Sequence, residues 1–142
     1  MNEVSLMDHL RLLIITSGLM HFAILTASAL VPRVLDWHSE LAKLPALLRQ
    51  LVWVHGGYIV SMIVAIGTVS VLLPTELTTG SPLARSVCGF IAVFWGARLV
   101  LQLLFFEPAG FLKSAVLKLG YHSLTIAFTF LTAVYAASAV LP

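Results

Sequence analysis

Two histidines stand in otherwise apolar surroundings, His55 in LVWVHGGYIV and His122 in LGYHSLT. A neutral imidazole can ligate a metal or hydrogen-bond to a neighbouring helix, and both uses suit a water-poor site. Arg98 and Gln102 follow each other at a spacing that puts them on one helical face. Gly56 and Gly57 come directly after His55 and leave room beside its ring. The sharpest chemistry these residues offer is a b-type haem held between His55 and His122. Its iron-bound nitrogens would stand roughly 4 Å apart, twice a typical metal–nitrogen bond. Gly56 and Gly57, with Gly89 and Gly96 a heptad apart, would give the porphyrin flat space at the backbone. Arg98 would anchor a propionate, carboxylate or phosphate, for which its planar fork suits. The plainer alternative assigns all of them to packing. Histidine bonds across helices, small residues let backbones approach, and Arg98 ties helix ends through Glu107 or a carbonyl.

These residues lie on stretches that can cross a bilayer. The chain has 142 residues, 60% hydrophobic and 10% charged, where soluble domains carry about a quarter charged. Such a composition leaves too little polar surface for water, so lipid must be the outer solvent. Apolar runs at roughly 10–32, 50–74, 83–106 and 118–141 are each long enough, since about 20 helical residues span the hydrocarbon. The expected fold is an all-α integral membrane four-helix up-down bundle in one domain. A short interfacial helix is expected between the first two spans, where RVLDWHSELAKLPALLRQ mixes polar and apolar residues around Trp37. The ASA at 27–29 resembles a signal-peptide cleavage site, but Glu3 and Asp8 make a poor basic n-region. The first run therefore reads as a retained helix.

Orientation follows from the basic residues. Arg33, Lys43, Arg49, Lys113 and Lys118 fall on the side where the first span ends, and only Arg11 and Arg85 on the other. By the positive-inside bias the first side is cytoplasmic and both termini lie outside, with a bacterial inner membrane the expected location. Depths then follow at about 1.5 Å per residue. His55 and His122 lie about 6 Å inside the cytoplasmic boundary, Arg98 about 12 Å and His21 about 15 Å. Stripes on the spans point inward: Ser17, Gly18, His21 and Ser28 on the first; Ile91, Phe94, Trp95, Arg98 and Gln102 on the third; His122, Thr125, Thr129 and Thr132 on the fourth. The reading expects a cytoplasm-facing pocket of His55, His122, Arg98, Gln102, Gly56 and Gly57, with His55 and His122 as the metal ligands. His21 is set apart by its depth and is assigned a local hydrogen bond. Trp53, Tyr58 and Tyr121 are belt aromatics, or else the wall of a pocket for a quinone or lipid headgroup.

Several functions are excluded on the residues. The single cysteine, Cys88, allows no internal disulfide and no CxxC motif. A net charge of +2 without a Lys/Arg cluster gives nucleic acid no footprint. No GxSxG elbow, phosphate loop or HExxH pair occurs, and the runs hold no acid for a carboxylate-driven pump. Three readings remain. The first is a cofactor- or ligand-binding bundle, with the haem electron carrier its most specific form. The second is a non-catalytic accessory or scaffold subunit, beside a membrane-protein partner or a second copy. The third is a small transporter or proton conduit, which the lack of repeats or broken spans ranks last.

Overall fold

The computed structural model describes residues 3–105 and 114–142. Glu107 and Lys113, on which the sequence reading drew, lie outside the described residues. The described chain is helical throughout, with no strand. Its elements are α1 (Glu3–Val34), α2 (Trp37–Ala42), α3 (Ala46–Leu72), α4 (Pro74–Leu77), α5 (Pro82–Phe105) and α6 (Ala115–Val140). Four of them, α1, α3, α5 and α6, are long and apolar enough to cross a membrane.

Local chemistry sets the helix ends. Glu3 lies in the first turn of α1 and Arg33 in its last, each favourable to the helix dipole. α1 starts about two turns before the apolar run, because the polar segment around Asp8 and Arg11 continues the helix as an exposed, ion-paired stretch (3.6 Å). Pro32 is tolerated in its final turn, and Asp36 then takes a left-handed conformation, φ 46°, that turns the chain into α2. Pro74 opens α4, where its missing N–H costs nothing. The Ser81 hydroxyl accepts the Ala84 amide at 3.2 Å ahead of α5, and Ser114 accepts Leu117 at 3.2 Å to start α6.

The long helices pack as two close pairs. In α1 and α3 the contacts run in opposite order: a Cβ on Gly18 would meet Val71, and one on Gly67 would meet His21. In α5 and α6 Arg85 reaches the Val140 and Pro142 backbone oxygens, Gly96 faces Thr132, and Gln102 meets Tyr121. α1 against α6 joins the pairs, and α4 lies against α1, α3 and α5. The core between them is Ile14, Ile24, Ile63, Ile66, Leu77, Cys88, Ile91, Trp95, Phe128, Leu131, Val134 and Tyr135. Trp95 is the largest fully buried side chain, stacked on Phe128 and edge-on to Phe94. On α6 the buried face is Phe128, Leu131, Val134, Tyr135 and Ser138. That face is turned away from the expected hydroxyl stripe: His122 and Thr129 are exposed, and Thr125 and Thr132 half-buried. The hydroxyls of Thr125, Thr129 and Thr132 instead bond back to carbonyls one turn earlier in α6. Thr129 and Thr132, so satisfied, place no demand on a partner helix, while Thr125 also accepts from Gln102 of α5, and the larger apolar side chains take the core.

Candidate functional site

Polar groups gather at the centre of the core, on residues from all four long helices. His21 on α1 is fully buried. Its Nδ1–H donates to the Ser17 carbonyl at 2.6 Å, and its Nε2 accepts the Trp95 indole N–H at 2.9 Å. An indole nitrogen can only donate and a carbonyl can only accept, so these bonds require the neutral Nδ1–H tautomer. The ring also stands edge-on to Trp95 and Tyr135, with centroids 5.1 and 6.0 Å away. Beside it the Tyr135 hydroxyl shares a 2.6 Å hydrogen bond with the buried Ser70 hydroxyl of α3. Cys88 donates weakly to the Leu77 carbonyl at 3.5 Å. The hydroxyls of Ser17 and Ser138 are buried without a protein partner.

Both principal bonds cross between the helix pairs, His21–Trp95 from α1 to α5 and Ser70–Tyr135 from α3 to α6. The arrangement locks helices in rotation and depth. With both ring nitrogens occupied, His21 can ligate a metal only by surrendering the Trp95 bond.

A second polar knot closes the α5–α6 pair. The Gln102 side-chain amide donates to Thr125 Oγ1 at 2.5 Å and to the Tyr121 carbonyl at 3.2 Å. The Tyr121 hydroxyl returns a bond to the Gln102 carbonyl at 3.1 Å. Gln102 is thus buried with its amide nitrogen engaged between α5 and α6, and Tyr121 serves the same knot.

The other residues expected at a pocket stand at exposed or half-exposed positions on α3, α5 and α6. His55 is exposed on α3, and its Nδ1–H donates to its own helix at the Leu51 carbonyl, 2.8 Å. His122 is exposed on α6, with its ring edge-on to Tyr121. The two imidazoles are not bonded to each other. Arg98 is exposed and places its guanidinium 6.0 Å from the Phe128 ring centroid. A Cβ added to Gly56 or Gly57 would meet nothing within 4 Å, so these glycines border open space beside this chain's own helices. Gly89 is equally open, whereas Gly96 lies under Thr132. Among the described residues no group of three or more His, Cys, Asp or Glu is placed to hold a metal ion.

No protein-family model, curated protein or solved structure matches this chain.

Sequence reasoning set His21 aside, yet it is the one histidine the core is built around. Spacing narrows its partner only by depth. Trp95 lies about 16 Å from the end of the third run, against about 15 Å for His21, so the two share a depth. A buried indole N–H requires an acceptor, and His21 is, with Ser61 and Thr129, one of the side chains at that level able to provide one.

Proposed function

We propose that this chain is a multi-pass membrane protein whose long helices cross the bilayer as an up-down bundle, and that it serves as a non-catalytic accessory subunit for a larger membrane assembly. α2 would lie in the interface, the connector after α1 would face the cytoplasm, and both termini would lie outside, in a bacterial inner membrane. The observation that carries the reading is a division of labour among the polar groups. The deep ones, His21, Trp95, Ser70, Tyr135 and Gln102, are consumed in bonds between this chain's own helices. The first half of α3 has the opposite character: His55, Gly57 and Tyr58 are exposed, and both glycines have open space above them. Small residues beside a histidine allow a further helix to approach closely and to hydrogen-bond, which is how helices associate in lipid. The occupant proposed is a transmembrane helix of a partner subunit.

The test is photo- or thiol-crosslinking from Gly57→Cys in native membranes, followed by purification in mild detergent. The expected result is a discrete adduct with one membrane protein, absent when the cysteine is moved to the opposite end of the chain as Val4→Cys. Recovery of the uncrosslinked monomer alone would overturn the accessory role.

A ligand-binding reading keeps one specific observation in its favour. The His55 Nδ1–H bond to Leu51 orients the ring and leaves Nε2 with its lone pair outward, as the carbonyl-bonded histidines of metal sites do. A b-type haem bridging His55 and His122 would give purified protein an intense visible band that disappears in His55→Ala and in His122→Ala. A colourless preparation from haem-replete cells removes it.

A further inference from the structure

The left-handed turn at Asp36 sets α2 beside the start of α3. The Trp37 and Trp53 rings meet edge to face, centroids 6.4 Å apart, and fix the two helices against each other. A half-open cavity of about 440 Å³ lies there, lined by His38, Leu41, Arg49, Gln50, Trp53 and Val54 among others. Its chemistry is one-sided. The Arg49 guanidinium, the Gln50 amide and the His38 ring bond to no other described residue. No carboxylate lines the cavity, and Glu40 on α2 is held by Lys43 at 2.6 Å. α3 also begins after Pro45 with no side-chain cap and no acid in its first turn, so the positive end of its dipole is uncompensated there. Leu41, Trp53 and Val54 make the remaining wall apolar.

We infer that this groove binds the phosphate headgroup of an anionic phospholipid, with Arg49 as the principal contact and Trp53 and Val54 along the first part of the acyl chains. Arginine's fork matches two phosphate oxygens, and its charge persists at any physiological pH. A lipid is favoured over a soluble anion by the shape of the site. From Arg49 to Val54 the helix rises about 7.5 Å, from a cation into the apolar run, which is the order of groups along a phospholipid. A free phosphate would use the cation and leave the Trp53–Val54 wall exposed. The inference rests on the membrane placement proposed above and is independent of the accessory role.

Delipidated protein in neutral detergent is titrated with brominated phosphatidylglycerol, brominated phosphatidylcholine and inorganic phosphate, and tryptophan quenching is followed. Saturable quenching by phosphatidylglycerol at lower lipid fraction than by phosphatidylcholine is expected. Trp53→Phe should remove most of it. Arg49→Gln, an exposed position where circular dichroism should be unchanged, should weaken the anionic preference about fivefold, the usual worth of one juxtamembrane cation. Arg33→Gln, outside the groove, should retain it. Equal quenching by both lipids, an unchanged titration of Arg49→Gln, or displacement by millimolar inorganic phosphate would overturn the lipid assignment. Failure of the membrane placement itself is distinguished beforehand, as release of the chain from vesicles by alkaline wash.

Discussion

At the scale of single residues, the His21–Trp95 bond is the feature with the clearest energetic consequence. Removing the indole donor with Trp95→Phe keeps an aromatic ring at the centre of the core and leaves a buried imidazole nitrogen without a donor. Stranding a buried acceptor costs about 1–3 kcal/mol. The chain should therefore unfold more readily in a denaturing-detergent titration. The accompanying signature lies in the nitrogen NMR spectrum of selectively labelled protein. Native His21 should give one protonated and one unprotonated ring nitrogen, with the unprotonated resonance shifted by Trp95→Phe while the tautomer persists, because Ser17 still accepts from Nδ1. An imidazolium spectrum in the native protein would contradict the bonding pattern. This residue also shows where sequence reasoning stopped. Of the inward-facing stripe read from spacing, Ser17, Gly18, His21 and Ser28, the first three are buried and Ser28 half-buried. What spacing could not give was the partner, since rotation about one helix axis does not fix which neighbour lies opposite. Charge and hydroxyl content misdirected the rest. Arg98 can reach outward on its long stem, and Thr129 and Thr132 satisfy themselves one turn back, so neither residue type by itself reports the core face; Thr125 alone of the three also bonds across to α5.

Between residues and the whole lie the helix crossings, and the glycines divide there into two kinds. Gly18 and Gly67 face each other at the α1–α3 crossing, where a Cβ on Gly18 would stand 2.7 Å from Val71 Cγ2 and 3.1 Å from the Gly67 carbonyl oxygen. Gly56 and Gly57 have no such neighbour. Gly18→Ala should thus force the pair apart and cost about 1–3 kcal/mol, the usual penalty of overpacking. Gly57→Ala should be neutral or stabilising by up to roughly 1 kcal/mol in the isolated chain, because alanine favours the helix. Comparing both variants in the same detergent titration checks the contrast; equal destabilisation would mean that α3 is packed along its whole length. In the native membrane the sign at Gly57 should reverse if a partner helix sits against it, since the methyl would then occupy the approach. That there are four long apolar helices among the described residues was legible, because runs of twenty or so mostly apolar residues admit few other structures, but α1 begins about two turns ahead of its run. The depth of the core was not legible. His55, with its flanking glycines, looks like a site in sequence for the same reason that Gly18 and Gly67 do: small residues signal close approach but not to what.

For the whole molecule the consequence is that α1 and α3 form one unit, α5 and α6 another, and a small set of bonds joins them. Apolar contact contributes little specificity inside lipid, where acyl chains offer a helix much the same surface as a neighbouring helix does. Within the proposed bilayer, register between the two units would then come from groups that lipid cannot satisfy. His21–Trp95 and Ser70–Tyr135 are such groups, and each spans the division. Interhelical hydrogen bonds of this kind are worth about 0.6 kcal/mol on average and up to about 1.7, too little individually to hold a protein together but enough to choose among registers. The chain can be opened between Thr79 and Gly80, in the turn where Gly80 takes φ 71°, and the two halves co-expressed. Each half contains two helices long and apolar enough to cross a membrane, so the halves should copurify in mild detergent. Tyr135→Phe or Trp95→Phe alone should reduce recovery modestly, and the two together should abolish it, because the remaining apolar surface no longer prefers its partner to lipid. Unchanged recovery of the double variant would place the specificity in the shape of the Ile14, Ile91 and Leu131 packing instead, and the buried hydrogen bonds would then follow from assembly without directing it.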